Sequence, residues 1–352
     1  MFEKSTWIRL PRNVVVGHGV VDDVVEVVGD VHLHGTPLVV TSPTPNAVVG
    51  ERLVADFEAA GLAPETAVVE EASFDAVTRV IEAAEAAEAG FLVAVGGGKA
   101  IDIAKMASDE LDRGFVSVPT AASHDGIVSG RSSVPEGDTR HSVAAEPPVA
   151  VVADTRVLAD APWDLTTAGC ADIISNYTAV KDWRLADRLQ DVEYSEYAAA
   201  LAEMTAELLV ADAGSIRPGL EESAWVVVKA LVSSGVAMSI AGSSRPASGA
   251  EHLFSHQLDR IAPGKALHGH QVGVGAVMIE YLHDGDDGDW RAIRDALDTL
   301  GAPTTAADLG VSEAEVVEAL TTAHEIRDRY TILGNGVSEA AARRVAEHTG
   351  VV

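Results

Sequence analysis

"FLVAVGGGKAIDIAKMAS", residues 91–108, joins an apolar run to a helical pattern through three consecutive glycines. An apolar run of this length that ends at glycine predicts a buried strand, and the stretch after it predicts a helix. Glycine lets the backbone approach a phosphate closely, and the N–H groups at a helix start attract its charge. This stretch therefore predicts a phosphate-binding turn, with a tight strand-to-helix turn that binds nothing as the alternative.

The same alternation continues on both sides of this stretch. Short β-branched runs such as "NVVVG", "TPLVVTS", "GFVSVPT" and "PVAVVAD" are separated by helical patterns such as "NAVVGERLVADFEAAG". Apolar strands that alternate with helices predict a parallel sheet covered on both faces. After about Thr155 the strand signals vanish and long helical patterns follow. We expect a nucleotide-binding α/β domain over residues 1–156 and an all-α domain over residues 157–352, with the active site in the cleft between them.

The charge balance is strongly acidic, with 25 Lys and Arg against 54 Asp and Glu and a formal net charge of −29. Such a surface repels nucleic acid and anionic membranes, so we expect neither as a partner. The acidic residues are spread through amphipathic stretches such as "GVSEAEVVEALTTAHEIRDRY", which predicts solvated helix faces. The pattern fits a protein that works in a salt-rich cytoplasm, and an ordinary acidic protein is the alternative.

Cellular location is predicted from cysteine content and hydropathy. Cys170 is the only cysteine, so no disulfide forms within the chain, and no apolar leader is visible at the N-terminus. The most apolar window, "AWVVVKALVSSGVAMSIAGSS", contains Lys229 and is diluted by Ser and Gly. It predicts a buried core helix rather than a membrane span. We expect a cytoplasmic protein without an integral membrane segment, and leave its oligomeric state open, a homo-oligomer included.

Two further stretches carry groups suited to chemistry. The loop "SVPTAASHDGIVSGRSSV", residues 117–134, is rich in hydroxyls and contains His124, Asp125 and Arg131. It is either an exposed connection or a binding segment held by a rigid scaffold. Asp172, in "GCADIISNYTAVKDWRLA", stands in an apolar helical turn, where it serves either as a capping or paired carboxylate or as a metal ligand.

Residues 248–275, "SGAEHLFSHQLDRIAPGKALHGHQVGVG", hold four of the 12 histidines in the chain. His252 and His256 stand at positions i and i+4, so a helix places them on one face. His268 and His270 follow in a glycine-rich stretch that we interpret as a turn. Histidines clustered with an acid predict a metal site, and three ligands of the Asp-His-His type leave one position open for substrate. Spacing alone does not select the two histidines that bind.

In their order along the chain, the motifs "GGGKAIDIAK", "PTAASHDGIVSGRSSV", "GCADIISNYTAVKDWRLA", "SGAEHLFSH" and "LHGHQVGVG" resemble the sn-glycerol-1-phosphate dehydrogenases of archaea. The resemblance covers nearly the whole chain. That family lies in the superfamily of iron-type alcohol dehydrogenases, glycerol dehydrogenases and dehydroquinate synthases. "TAASHDG" and "SGAEHLFSHQLD" resemble the glycerol-1-phosphate branch in particular.

The resemblance implies a role for each matching residue. Zn²⁺ is implied at Asp172, His252 and His268, and substrate contact at Asp125, Asp172 and His256; the three histidines and Asp172 form the implied catalytic set. The implied NAD(P)-binding residues are Gly97, Gly98, Lys99, Ala100, Thr120, Ser123 and Ser129. His270 departs from the family, which usually has an acid there, so it either competes for the metal or lies behind the ligands.

The implied reaction is the reduction of dihydroxyacetone phosphate to sn-glycerol 1-phosphate, the backbone of archaeal ether phospholipids, by NAD(P)H at zinc. The absence of an acid at Thr41 and Ser42 permits NADPH as well as NADH. Candidates for the substrate phosphate are Lys99, Arg131, Lys181, Arg245 and Lys265, left unranked. The alternatives are a glycerol dehydrogenase, a dehydroquinate-synthase-like lyase, and a non-catalytic zinc-binding or nucleotide-sensing protein.

Overall fold

The computed structural model describes residues 7–136 and 139–352. Eight strands occur in these residues: β1 (Asn13–Gly17), β2 (Thr36–Thr41), β3 (Glu65–Val68), β4 (Ala89–Gly96), β5 (Phe115–Pro119), β6 (Arg131–Glu136), β7 (Thr139–Ala144) and β8 (Ala150–Asp154). Six of them form a sheet in the order β1-β8-β5-β4-β2-β3, and all its pairs are parallel. The predicted parallel sheet is therefore confirmed.

Strand β4 shows why this sheet is covered on both faces. Leu92 and Ala94 pack into one core, while Phe91, Val93 and Val95 on the opposite face pack into another. Side chains alternate across a strand, so a run in which every residue is apolar needs cover on both sides. The core that contains Leu92 continues into the helices of the second half of the chain.

Helices account for most of the remaining structure. Those between the strands are α1 (Val24–Asp30), α2 (Pro43–Pro45), α3 (Glu51–Ala59), α4 (Phe74–Ala86) and α5 (Gly98–Glu110), with the π-helical turn Asn46–Gly50 joining α2 to α3. After β8 come α6 (Thr155–Ala159), α7 (Trp163–Ile174), α8 (Asn176–Gln190), α9 (Glu196–Asp212), α10 (Glu221–Ala241), α11 (Ala250–Ile261), α12 (His268–Asp284), α13 (Trp290–Leu300), α14 (Glu313–Thr322) and α15 (Glu339–Thr349). No described strand follows Asp154, as the helical patterns predict. The division into domains at residue 156 stays a prediction.

Three local interpretations from the sequence differ from the structure. Residues 131–134, interpreted as part of a loop, begin the antiparallel hairpin of β6 and β7. The glycine-rich turn expected around His268 ends before that residue, because His268 is the first residue of α12. The amphipathic stretch that ends in "EIRDRY" is helical only to Thr322 and, after a short 3-10 turn, becomes irregular.

The apolar window flagged in the sequence forms α10, which is long and apolar enough to cross a membrane by length and composition alone. In this fold Val227, Val228 and Leu231 are fully buried in the core. Lys229 lies on the outer side of the helix, with its ammonium 3.9 Å from the centre of the Trp225 ring. Helix α10 is thus a packed core helix with one polar, exposed edge.

Candidate metal and cofactor site

A cavity of about 350 Å³ lies where the carboxyl end of the sheet faces the helices that follow it. Its lining comes from the glycine turn before α5, from the loop after β5, and from α7, α11 and α12. Segments that are far apart in the sequence therefore meet at one site. The cavity brings together Gly98, Lys99, Asp125, Ser129, Asp172, His252, His256 and His268.

Asp172, His252 and His268 form a cluster suited to a metal ion. One ligand atom from each of the three side chains lies within 4.8 Å of those of the other two. Nε2 of His252 is 3.6 Å from Oδ1 of Asp172, and the ring centres of His252 and His268 are 5.1 Å apart. One carboxylate and two imidazoles are a donor set that binds Zn²⁺ and leaves a position open. The chemistry of the donors fits the metal that the sequence predicts.

Each imidazole of this cluster is held from behind by a neighbour on α11. Nδ1 of His252 lies 3.0 Å from Oε1 of Glu251, and Nδ1 of His268 lies 2.9 Å from Oγ of Ser255. Because a hydrogen bond at Nδ1 fixes the orientation of the ring, Nε2 of both histidines remains for the cluster. Glu251 also accepts hydrogen bonds from Thr178 Oγ1, at 2.7 Å, and from the Gly249 N–H, at 2.5 Å.

Two carboxyl groups, those of the partly buried Asp125 and the buried Asp172, lie side by side in the site. The Asp125 N–H donates to Oδ2 of Asp172 at 3.2 Å, and Ser234 Oγ donates to Oδ2 of Asp125 at 2.9 Å. Burial raises the pKa of both carboxyls, and the charge of Asp125 raises the pKa of Asp172 further, while His252 opposes these effects. A bound cation would favour the ionised form of both groups.

The other two histidines of the group of four take different positions. His256, one turn after His252 on α11, stacks on His268 with 5.5 Å between ring centres and also lines the cavity. His270 instead contacts α7, where its Nε2 lies 2.9 Å from Oγ1 of Thr167. Burial lowers the pKa of His270. His270 therefore lies outside the cluster of Asp172, His252 and His268, and its ring contacts Thr167 instead.

The glycine turn lies beside the loop that follows β5. Gly96 pairs with Pro119 at the carboxyl ends of β4 and β5, and the Thr120 N–H donates to the Gly96 carbonyl at 3.0 Å. Gly96 has a φ of 151°, which side chains rarely adopt. A Cβ on Gly98 would lie 1.9 Å from Nε2 of His124. A side chain at Gly98, the first residue of α5, would therefore collide with the His124 ring.

This turn also lies at a reversal in the order of the sheet. From β2 the chain crosses to β3 at one edge, whereas from β4 it crosses to β5 on the opposite side. Ligands of open α/β sheets bind at the carboxyl ends of strands where the order reverses in this way. The first N–H groups of α5 face that position, so the turn fits a nucleotide pyrophosphate.

The predicted cofactor residues divide into two groups. Gly98, Lys99 and Ser129 line the cavity, whereas Gly97, Ala100, Thr120 and Ser123 lie on the same two turns but not in its lining. Oγ of Ser129 is buried and has no partner among the described residues. Lys99 reaches back to the Glu70 carbonyl at 2.5 Å.

Sequence reasoning missed three parts of the site. Lys105, fully buried, donates to the carbonyls of Gly126, at 2.7 Å, and Arg131, at 2.5 Å, and so fixes the loop after β5 onto α5. Glu251 gave no signal apart from its position next to His252. Arg327 lines the cavity from the irregular segment after α14. The sequence held one signal for Lys105: a lysine in an otherwise apolar helix, three positions after Asp102, predicts a buried ion pair.

Comparisons with known proteins agree with the motif-based resemblance. A family model described as "Iron-containing alcohol dehydrogenase" matches residues 15–162. The chain is 75% identical over 352 residues to a protein of Halobacterium salinarum named glycerol-1-phosphate dehydrogenase, NAD(P)+, with 100% of both chains covered. A protein of the same name from Methanosarcina mazei is 53% identical over 349 residues, covering 99% of this chain and 97% of the relative.

Solved structures agree on the fold. The crystal structure of a probable glycerol dehydrogenase from Sinorhizobium meliloti 1021 matches with a TM-score of 0.78 at 20% identity and covers 98% of each chain. At that identity the likeness concerns the fold alone, whereas identities of 53% and 75% over nearly the full length extend to the family. The chain therefore belongs to the glycerol-1-phosphate dehydrogenase family, within the iron-type alcohol dehydrogenase superfamily.

Proposed function

We propose that this chain catalyses the NAD(P)-dependent reduction of dihydroxyacetone phosphate to sn-glycerol 1-phosphate at a zinc centre held by Asp172, His252 and His268. The single observation that supports this most strongly is the position of that cluster, which shares one cavity with the glycine turn at Gly98. A hydride donor bound at the turn and a ketone bound at the cluster would then face each other. The relatives named glycerol-1-phosphate dehydrogenase supply the substrate.

In this proposal some residues orient the metal ligands and others contact the substrate. When bound, zinc would polarise the ketone as a Lewis acid and NAD(P)H would supply the hydride. Glu251 and Ser255 hold the two imidazoles in the orientation that the ligands need. Asp125 and His256 line the same cavity and contact the substrate in this proposal.

His256 is the proposed proton donor. It stacks on His268 and faces the cavity, so its ring can deliver a proton to the C2 oxygen of the substrate as the alcohol forms. A chain of waters is the alternative route. Kinetics of His256→Ala that match the unaltered enzyme would remove His256 from this role.

Zinc is proposed over iron because the sequence resembles the zinc-dependent branch. The same two histidines and one carboxylate also suit Fe²⁺, so the metal is identified by elemental analysis of the purified protein. The proposal further places the enzyme in the cytoplasm of a halophilic archaeon, where its product supplies the glycerol backbone of ether phospholipids. The charge of −29 and the halophilic source of the Halobacterium relative support that assignment.

The test is NADH and NADPH oxidation by the purified protein in multimolar KCl, with dihydroxyacetone phosphate as the substrate. We expect rapid oxidation that is lost on chelation and restored by Zn²⁺, with sn-glycerol 1-phosphate as the product. The variant His252→Ala should lose bound metal as well as activity, which elemental analysis checks independently of turnover. Activity on dihydroxyacetone but not on its phosphate would favour the glycerol dehydrogenase alternative and overturn the proposal.

A further inference from the structure

Four arginines converge at one end of the cavity, beside the metal cluster. Arg131 and Arg327 line the cavity itself. The charge of Arg245 acts on Arg327, and the charges of Arg327 and Arg245 act on Arg329. Arg131 begins β6, Arg245 lies between α10 and α11, and the other two lie in the irregular segment after α14. Three segments far apart in the sequence therefore direct guanidinium groups toward one position.

The arginine cluster has few carboxylates near it: Asp182 and Asp328 act on the charge of Arg245, without forming an ion pair with it among the described residues. No described carboxylate lies within ion-pairing distance of Arg327 or Arg329. Glu251 acts on both charges from nearby, but its oxygens are already engaged by His252, Thr178 and the Gly249 N–H. Like charges gathered away from bulk water are costly unless an anion joins them.

Arg327 has N–H donors available to bind such an anion. Its Nη2 donates to Oγ of Ser248 at 2.8 Å, and its buried Nε has no partner among the described residues. A guanidinium offers five N–H donors, so most of its capacity is unused. Burial lowers the pKa of Arg327 to about 10, with Glu251 opposing this effect and Arg131 and Arg245 adding to it, which leaves Arg327 protonated at neutral pH.

Hydroxyl groups complete this end of the cavity. Ser132 and Ser133 from β6, Ser142 from β7, and Ser244 and Ser248 before α11 all line it. Guanidinium and hydroxyl donors together are the groups that bind phosphate oxygens. Ser248 stands four residues before His252, so this end adjoins the metal cluster and lies on the substrate side of the site.

We propose that Arg327 and Arg131, with Arg245 and Arg329 behind them, bind the phosphate of the triose substrate and select it over unphosphorylated polyols. The proposal rests on the proposed function. It also narrows the cationic candidates from the sequence: Arg131 and Arg245 belong to the cluster, and Lys99 lies at the glycine turn proposed for the nucleotide. Lys181 is engaged by Glu280 and Asp284, at 2.5 Å each, and neither Lys181 nor Lys265 lines the cavity.

Arg327 also has a structural role, because Arg327 and Arg329 donate hydrogen bonds to the hydroxyls of Ser248 and Ser244 and so fix the segment that contains them. The test must therefore separate phosphate recognition from packing. The variant is Arg327→Gln, with Arg327→Lys as the conservative form that keeps the charge. Arg291→Gln is the matched control, since Arg291 is exposed and paired with Asp286. A second variant, Arg131→Gln, removes the other guanidinium that lines the proposed phosphate site, at the start of β6.

We expect Arg327→Gln to raise the KM for dihydroxyacetone phosphate about 10- to 100-fold, the range for a lost hydrogen bond to a charged group. Turnover of dihydroxyacetone, which lacks the phosphate, should stay within about twofold, as should the KM for NADH and for NADPH. Inorganic phosphate should inhibit the unaltered enzyme competitively against the triose phosphate, and about tenfold more weakly in the variant. Arg327→Lys should recover part of the loss.

Three results would overturn the proposal. An unchanged KM for the triose phosphate in both Arg327→Gln and Arg131→Gln would place the phosphate elsewhere. Equal losses on phosphorylated and unphosphorylated ketone would assign Arg327 to packing. A rise confined to the KM for NADPH would assign the cluster to the 2′-phosphate of the cofactor. Because each result compares a variant with an active enzyme, they are distinct from failure of the proposed function, in which the unaltered protein itself does not reduce the triose phosphate.

Discussion

Helices α7 and α12 touch so closely at Gly269 that a single methyl group is expected to open the metal cluster. A Cβ built on Gly269 would lie 2.1 Å from the carbonyl oxygen of Ala168 and 2.7 Å from its carbonyl carbon. Both atoms are backbone, so no rotamer change relieves the overlap. The helices must separate by about 0.9 Å before the closest contact reaches 3.0 Å, below which real Cβ contacts essentially do not occur.

That separation acts directly on the proposed ligands. His268 precedes Gly269 on α12, and Asp172 follows Ala168 by one turn on α7. Functional sites tolerate displacements of about 0.5 Å, and metal-ligand distances about 0.2 Å. We therefore expect Gly269→Ala to weaken zinc binding at least about tenfold, the lower bound seen when supporting partners of a ligand are lost. Overpacking should also lower the free energy of unfolding by about 1–3 kcal/mol.

The measurement is a competition titration of zinc against a chelator, with thermal unfolding alongside it. Gly29→Ala is the control, because Gly29 also lies in a helix but a Cβ there meets nothing within 4 Å. It should leave zinc affinity unchanged and stabilise the fold by about 0.5–1 kcal/mol. Zinc affinity within twofold of the unaltered protein in Gly269→Ala would refute the link between this helix contact and the cluster.

Three other predictions concern the cofactor turn, the buried thiol and the surface. Gly98→Ala should raise the KM for NADH and NADPH about tenfold in steady-state assays, because its Cβ would meet the His124 ring. That ring is held in place by the Gly126 N–H, which donates to Nδ1 at 2.8 Å. An unchanged KM would contradict the assignment of this turn to the cofactor. Cys170 should resist thiol reagents at about pH 8 until the protein unfolds, because burial raises the pKa of its thiol to about 12. Fast labelling of the native protein would argue against the burial of this thiol. The melting temperature should rise with KCl because salt screens the repulsion behind a net charge of −29, and a flat response would contradict that reasoning.

The parts of the fold that the sequence predicts are those with a strong local period. The apolar runs around Leu38 and Leu92 and the glycine turn form strands and a helix start where the pattern places them. A metal site was also predictable, because clustered histidines and an acid in an apolar helix are unusual for a core. The choice of Asp172, His252 and His268 within it came from the family resemblance. The structure brings these three together, although their roles as ligands stay a proposal.

The hairpin of β6 and β7 also has a signal in the sequence. Its strands flank the dipeptide Gly-Asp at positions 137 and 138, a pair typical of two-residue hairpin connections. The serines and glycine of residues 129–133 are more typical of a loop. In the structure Asp102 accepts from the Ser133 N–H at 3.1 Å, which anchors the hairpin to α5 and brings Arg131 to the cavity.

Arg327 and Glu251 lie beyond the reach of local patterns, since their positions depend on tertiary packing. In sequence, Arg327 belongs to a charged stretch typical of a solvated helix face, and Glu251 is one acid among 54 Asp and Glu. In the structure the Glu251 carboxylate contacts His252 Nδ1 at 3.0 Å and acts on the charges of Arg327 and Arg329. One buried carboxylate thus supports both the proposed metal site and the proposed phosphate site. Because the same negative charge acts on His252 and on the arginine cluster, the proposed metal site and the proposed phosphate site would be coupled electrostatically through Glu251.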